Sequence, residues 1–198
     1  MRPILVTPPA ALPIEAGDVI ARAPSLASAD PDVVTALIEA AVSHLDGWSG
    51  ILGRCLVEQT WKLEACAYYG GRYFLPFPNV IGLVSVKDEF EADVTGDMAL
   101  HQGRDGWYVA ATDGRGLDEL TIEFTAGYGA PDKVPAAIKQ AIVMMVAGMY
   151  ATTEANGGLR SFEVHGTFTR SFNSPEMVDG VRTKAVDMLL APFRRMSV

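Results

Sequence analysis

Four stretches of the chain carry apolar residues at the three- and four-residue spacing of amphipathic helices. We predict helices at about residues 13–23, 31–52, 135–153 and 175–191. The second begins at Asp30-Pro31, an N-cap residue followed by a proline suited to the first helical turn. Its predicted buried stripe is Val34, Leu37, Ile38, Ala41, Leu45, Trp48 and Leu52, with Gly53 as the stop.

The two later helices have apolar faces of different character. In the third, Ile138, Ile142, Met145, Val146 and Met149 share a face, and the small residues Ala141, Ala147 and Gly148 leave room for a close neighbour. In the fourth, we expect Val178, Val181, Ala185, Met188 and Leu189 to point inward. Pro192 then ends the helix and leaves a short tail at 192–198.

Between the second and third helices the period of the pattern changes from four to two. Residues 56–65 alternate apolar and polar side chains, as a half-buried strand does. Further strands are predicted at 80–86, with a bulge at Gly82, and at 107–109 and 120–125. The prolines at 75–78 indicate an extended corner. Together these segments predict a small antiparallel sheet within residues 56–126.

Residues 155–173 are rich in Gly, Ser and Thr, and their larger apolar residues are spaced two or four apart. These are Phe162, Val164, Phe168 and Phe172. The segment is either a flexible loop or a hairpin arm around His165-Gly166, and the spacing favours an arm that contacts another surface. The predicted fold class is therefore α+β: a bundle of three to four helices with an inserted sheet and a flexible arm before the last helix. We expect residues 1–198 to form a single domain.

The net charge of −8 disfavours broad contact with nucleic acid or anionic membranes, since such a surface repels phosphate. No stretch is apolar enough to span a bilayer, and the proline-broken N-terminus makes a poor signal peptide. The two cysteines, Cys55 and Cys66, have no metal-site spacing and are expected to be buried thiols in a reducing cytoplasm.

Side chains with catalytic potential are scattered along the sequence. His44, His101 and His165 fall on a helix, a loop and the arm, without neighbours at metal-ligand spacing, so no metal or other cofactor is expected. A Cys–His hydrolase lacks a recognisable nucleophile turn. The strand carboxylates Glu58, Glu64 and Glu123 are expected to form the wet side of the sheet, and the Gly-rich segments 103–106 and 113–116 are expected to be turns.

Four segments, in this order, resemble the head–tail connector (adaptor) proteins of tailed bacteriophages and related gene transfer agents. Residues 52–61, LGRCLVEQTW, resemble that family's G-R-x-L-x-x-Q-T-W junction, and 75–80, LPFPNV, its L-P-x-P-P-V corner. Residues 125–129 and 134–142, TAGYG and VPAAIKQAI, and the terminal 189–195, LLAPFRR, are also similar. The matching residues expected to be structural are Gly53, Arg54, Gln59, Trp61, Pro76, Gly127, Tyr128, Pro135 and Pro192.

The resemblance implies a structural protein rather than an enzyme. Members form a ring, dodecameric on assembly, beneath the portal protein at the capsid vertex, with a tail or stopper protein below. Packaged DNA passes through the ring without sequence-specific binding, and no membrane is involved. The implied location is the host cytoplasm during assembly and then the neck of the particle.

Three segments are candidate contact surfaces. The tail residues Phe193, Arg194, Arg195 and Met196 are positive and apolar, and we expect them to dock on the portal; alternatively, the arginines only complement the dipole of the last helix. The arm residues Phe162, Val164, Phe168 and Phe172 are expected to contact other subunits. The acidic segment 88–93 either lines the DNA channel or forms a solvated loop, which is the more common role of such a run.

Other functions remain open at this stage. A tail terminator or neck-completion protein of the same particle also forms a ring. A small α+β hydrolase is the alternative from a different class, and a nucleic-acid-binding packaging protein is disfavoured by the net charge.

Overall fold

The structure is a computed structural model that describes residues 2–66, 71–153, 161–164, 168–171 and 175–195. Its helices are α1 (Ala16–Arg22), α2 (Pro31–Leu45), α3 (Ala136–Thr153) and α4 (Pro175–Leu190). Its strands are β1 (Ile4–Thr7), β2 (Gln59–Cys66), β3 (Tyr73–Phe74), β4 (Val80–Asp88), β5 (Met98–Gly103), β6 (Gly106–Ala111), β7 (Glu119–Ala126), β8 (Ser161–Val164) and β9 (Phe168–Ser171). The predicted α+β class is confirmed.

The chain divides into two compact units. One comprises Met1–Pro13, Ser43–Val134 and Arg195–Val198, and we call it the sheet unit. The other comprises Ile14–Val42 and Pro135–Arg194, and we call it the helical unit. The expectation that residues 1–198 act as a single domain stays a prediction.

The sheet unit contains two antiparallel sheets, where the sequence predicted one. The first has the strand order β1-β2-β7-β4, and the second has the order β3-β6-β5. β2 and β7 pair in unbroken register from Gln59 opposite Ala126 to Cys66 opposite Glu119. β4 is irregular, with register shifts between Val80 and Gly82 and between Leu83 and Ser85. The first of these shifts confirms the bulge predicted at Gly82.

The core of the sheet unit lies between the faces of these strands. β2 and β7 both alternate buried and less buried residues along their length, which is the period-two pattern of a strand with one face in the core. The most buried large residues include Tyr73, Phe77, Leu120, Ile122 and Phe124. Glu58 and Glu64 are exposed and Glu123 is half-buried, in line with their predicted place on the wetter side.

The helical unit buries the faces predicted for α2 and the first half of α3. Val34, Ile38, Ile138, Ile142 and Val146 are all inaccessible to solvent. α3 packs against α4, and Arg182 of α4 lies so close to Gly148 that a Cβ there would be 2.8 Å from its guanidinium. The small residues of α3 therefore do admit a close neighbour, as the sequence predicted.

Two helices are shorter than predicted. α1 covers Ala16–Arg22 because the residue before a proline avoids the helical region, and Ala23 precedes Pro24. α2 ends at Leu45, not at residue 52, because the Asp46 carboxylate binds backbone beyond the helix and Gly47 takes a left-handed φ of 74°. Leu52 is still buried, but Trp48 is exposed rather than part of a helical stripe.

The predicted inner face of α4 is partly wrong. Val181 and Met188 are exposed, whereas Leu190 is buried. The two exposed positions are seven residues apart, so they lie on one side of the helix, away from Leu190. The sequence predicted the helix correctly, but which of its faces is buried depends on the side that packs against α3.

The arm contains a hairpin. β8 and β9 pair antiparallel, with Phe162 opposite Arg170 and Val164 opposite Phe168, which confirms the hairpin alternative around residues 165–166. Phe172, His165 and Gly166 lie outside the described residues, as do the side chains of Phe162, Val164 and Phe168. Their contacts with other subunits stay a prediction.

Candidate functional site

Parts of all four motif segments meet in the sheet unit at one place, which we call the junction. It consists of the loop at 46–58, the corner at 75–79, the turn at 126–129 and Arg195. Backbone hydrogen bonds join these pieces: Gly127 N donates to Asn79 O at 2.9 Å, Tyr128 N to Leu56 O at 3.2 Å, and Glu58 N to Gly129 O at 2.9 Å. The motif residues are thus distant in sequence and adjacent in the fold.

A buried carboxylate–amide pair holds the start of the junction. Asp46 Oδ1 accepts a hydrogen bond from Leu56 N at 2.6 Å, and Asp46 Oδ2 accepts one from Gln59 Nε2 at 2.9 Å. Gln59 is only 3% exposed, so the carboxylate is the partner that satisfies its amide. The motif resemblance includes Gln59 but not Asp46. The available signal was the Asp46-Gly47 dipeptide, which is a common turn former.

Burial raises the pKa of the Asp46 carboxyl above its ordinary value of 3.8, and the hydrogen bonds from Gln59, Leu56 and Gly47 oppose that rise. The folded protein therefore holds this proton more tightly than the unfolded chain. The resulting stabilisation is complete below pH 3.8 and is lost as pH rises through the higher folded-state value.

We therefore expect the stability of the natural protein, relative to an Asp46→Asn variant, to fall as pH rises. The variant lacks this ionisation but is otherwise close in shape. The measurement is urea unfolding of both proteins between about pH 3 and pH 7. A stability difference that grows with pH would contradict the assignment.

Arg54, Tyr128 and Asn79 tie the corner and the turn to the loop. Arg54 Nη1 donates to the Tyr128 hydroxyl oxygen at 2.8 Å, and Asn79 Nδ2 donates to Cys55 O at 2.7 Å. Trp61 packs beside them on Phe77, with ring centroids 5.0 Å apart. These side chains brace the junction.

The C-terminal tail contacts the rest of the junction through Arg195. Arg195 N donates to Leu52 O at 3.2 Å, and its guanidinium donates to Pro76 O. Gly53 has a φ of 60° and packs against this arginine. A Cβ built on Gly53 would lie 3.2 Å from the Cβ of Arg195. Arg194 forms an ion pair with Asp187 of α4 instead. Both arginines thus have partners within the chain, beyond a simple interaction with the helix dipole.

The remaining tail and motif residues have separate positions. Phe193 is half-buried in a 3-10 turn, Ala191–Phe193, that also contains Pro192. Met196 lies outside the described residues. Pro135 directly precedes α3, and its carbonyl accepts hydrogen bonds from Ile138 N and Lys139 N. Its fixed φ therefore suits the entry to that helix, as the sequence predicted.

Among the thiols and histidines that the structure describes, none pair into a nucleophilic site. Cys55 is buried, and desolvation raises the pKa of its thiol far above the ordinary value, so it stays protonated. Cys66 is exposed, which corrects the expectation of two buried thiols: it ends β2, where the alternation turns its side chain outward. His44 is exposed on α2, and His101 stacks on Tyr108 at 5.3 Å. Among the described residues no group of acidic, His and Cys side chains could hold a metal ion.

The sheet unit also exposes apolar side chains at one edge. All four residues of β1 are exposed, and Ile4 keeps 59% of its surface accessible. Next to β1 is an open groove of about 530 Å³ lined by Arg2, Pro3, Ile4, Leu5, Trp48 and Trp61. We call it the β1 groove.

No helix among the described residues is long and apolar enough to cross a membrane.

The acidic segment 88–93 forms a turn between β4 and β5. Asp88 Oδ1 accepts hydrogen bonds from Phe90 N and Ala92 N, both at 2.9 Å. All its residues except the half-buried Asp88 are exposed. This exposure is compatible with both the solvated-loop and the channel-lining interpretations, so each stays a prediction. Within the chain, Glu91 forms an ion pair with Lys87 at 3.0 Å.

No family model matches the chain, and no curated protein matches it either. Solved structures do share its fold. One is "Neck of empty GTA particle computed with C6 symmetry", where GTA denotes gene transfer agent: it is 17% identical, covers 100% of this chain and 97% of the other, and has a TM-score of 0.68. The chain from "Virion of native gene transfer agent (GTA) particle" is 18% identical over the same shares, with a TM-score of 0.66.

A third structure, "Neck of native GTA particle computed with C12 symmetry", is 19% identical at the same coverage, with a TM-score of 0.61. At these identities the likeness concerns the fold. Both the sheet unit and the helical unit are included, since the whole chain is covered. The chain therefore has the fold of proteins found in the neck and virion of a gene transfer agent particle.

Proposed function

We propose that this chain is a head–tail connector (adaptor) subunit: a structural component of a ring that lies beneath the portal protein and receives a tail or stopper protein below. The observation that carries the proposal is the end-to-end fold match to proteins of a gene transfer agent neck. The four motif segments support it, because the junction brings parts of all four together.

The chemistry of the surface suits a passage for DNA. A ring of subunits that each carry a net charge of −8 repels a passing duplex rather than holding it. We propose that the ring is dodecameric, that it forms in the host cytoplasm and that it stays in the neck of the particle. Packaged DNA passes through the ring without sequence-specific binding, and the subunit acts as an assembly part rather than as an enzyme.

The direct test is co-purification with the portal protein of the same genome, followed by electron microscopy. An adaptor is expected to bind the portal and to give stacked rings. A tail terminator would bind the tail tube and leave the portal alone. Absence of the chain from purified particles would refute both ring assignments.

We further propose that the tail residues Phe193, Arg194, Arg195 and Met196 dock on the portal. Deleting residues 192–198 is expected to weaken portal binding at least about tenfold, because the apolar anchors are lost. The measurement is a binding titration against immobilised portal, with circular dichroism to verify the fold.

Arg195→Ala is the matched control for this deletion. It removes the guanidinium bond to Pro76 O but keeps the backbone bond to Leu52 O and the side chains of Phe193 and Met196, so it should account for only part of the loss. If the single substitution reproduces the whole loss, the tail acts by bracing the junction. Unchanged binding after the deletion would end the docking proposal.

A further inference from the structure

The turn after β4 exposes the aromatic side chain of Phe90 to solvent. Phe90 is 80% exposed, more than any other large apolar residue of the described chain. Its backbone is held on both sides by the Asp88 carboxylate, and Glu91 takes a φ of 62°. We call residues 88–93 the Phe90 loop. A rigid loop that presents a bare phenyl ring has the properties of an interface anchor, since little ordering remains to be done on binding.

The β1 groove has the complementary properties. Its walls are two tryptophans and the exposed side chains of Ile4 and Leu5, so it can take an aromatic ring. Arg2 adds a positive charge to this wall. The Phe90 loop carries four carboxylates, Asp88, Glu89, Glu91 and Asp93, and it keeps a net negative charge although Lys87 pairs with Glu91. The two surfaces are therefore complementary in apolar character and in charge.

Their positions in the sheet fit a head-to-tail contact. β1 and β4 are the two outer strands of the order β1-β2-β7-β4, so the groove and the loop belong to opposite edges, about 14 Å apart by strand spacing. A closed ring needs two different, mutually complementary surfaces on each subunit. One edge of this sheet carries the β1 groove, and the other carries the Phe90 loop.

We propose that the Phe90 loop of one subunit inserts its ring into the β1 groove of the next copy of this chain. This rests on the proposed ring function and names the contact that closes the ring. Simple pairing of β4 with a neighbouring β1 is disfavoured. β4 is bulged near Ile81 and Val84, and Val86 already bonds to Val94 and Thr95 on its outer side.

The test is chemical cross-linking between engineered cysteines. In a Cys66→Ser background, which removes the exposed native thiol, Phe90→Cys and Leu5→Cys are made singly and together. A short bis-maleimide is expected to join a mixture of the two single variants into dimers. It is expected to join the double variant into a ladder that ends at the closed ring. Met188→Cys with Leu5→Cys is the control, since Met188 is about equally exposed, at 77%.

A second measurement does not depend on cysteine geometry. Phe90→Ser is expected to weaken self-association at least about tenfold, while Met188→Ser changes it less than about twofold. Because the Asp88 bonds to the loop are made by backbone N–H groups, the substitution leaves the loop folded.

Electron microscopy of the same samples, alone and with portal protein, distinguishes failure of the proposed contact from failure of the proposed ring function. Rings without the Phe90–Leu5 cross-link, or cross-linking equal to the Met188 control, would overturn this contact and leave the ring function standing. If no ring forms in any sample and no cross-link appears, both proposals fall.

Discussion

Gly127→Ala is expected to lower the free energy of unfolding by more than about 3 kcal/mol, or to prevent folding outright. Gly127 has a φ of 143°, a conformation that L side chains rarely adopt. A Cβ built there would lie 2.5 Å from Val57 O and 2.7 Å from Glu58 N. The clash is with backbone, which cannot rotate away as a side chain can.

The surrounding hydrogen bonds prevent an easy adjustment. Gly127 N donates to Asn79 O, and the next residue, Tyr128, donates its N–H to Leu56 O. Moving the turn outward would break both bonds and separate the pieces of the junction. Urea unfolding followed by tryptophan fluorescence measures the loss, because Trp61 packs in the same region.

Gly129→Ala is the matched control. Gly129 is two residues away and also has a left-handed φ, of 94°, but a Cβ there would meet nothing within 4 Å. It should therefore cost only the conformational strain, about 1–2 kcal/mol. Equal losses of stability in the two variants would show that the backbone φ makes glycine necessary at 127. The close approach to the backbone of Val57 and Glu58 would then not be the reason.

Asp46→Ala is expected to destabilise the protein by about 2–4 kcal/mol. The change leaves Leu56 N and the buried Gln59 amide without their shared acceptor. It also removes the contact that turns the chain after α2. Chemical unfolding gives the size of the loss, and portal binding of the remaining folded fraction shows whether the junction also positions the tail.

Asp105→Ala is the control for loss of a carboxylate. Asp105 is exposed in the turn between β5 and β6, so its removal should change the stability by less than about 0.5 kcal/mol. Similar effects at 46 and 105 would mean that the Asp46 network contributes little. A loss at Asp46 that Gln59→Leu relieves would identify the unsatisfied amide as its cause.

The sequence predicted the elements with regular side-chain patterns well. β2 and β7 alternate strictly, and α3 begins and ends within a residue of its predicted bounds. It missed β1, β3 and β5. β1 has four residues between prolines and β3 has two, so neither shows enough of a period to stand out from a loop.

The candidate site was predicted in part. The motif resemblance selected Gly53, Gln59 and Gly127, which do meet at the junction. For Asp46 the sequence offered only a turn signal, the Asp46-Gly47 dipeptide, and nothing that pointed to a buried acceptor. A carboxylate one residue past a helix is ordinary in a sequence. Its role follows only from Gln59, 13 residues later, being buried against it.

The sequence alone determined the local conformations: where the chain is helical or extended, where glycine and proline turn it, and the sign of its surface charge. These depend on residues a few positions apart, which sterics and side-chain period relate directly. The tertiary structure decided the phase of α4, the end of α2, the division into two sheets, and the placement of Phe90 and the β1 groove on opposite edges. Those features depend on contacts between residues distant in the chain, which no local pattern specifies.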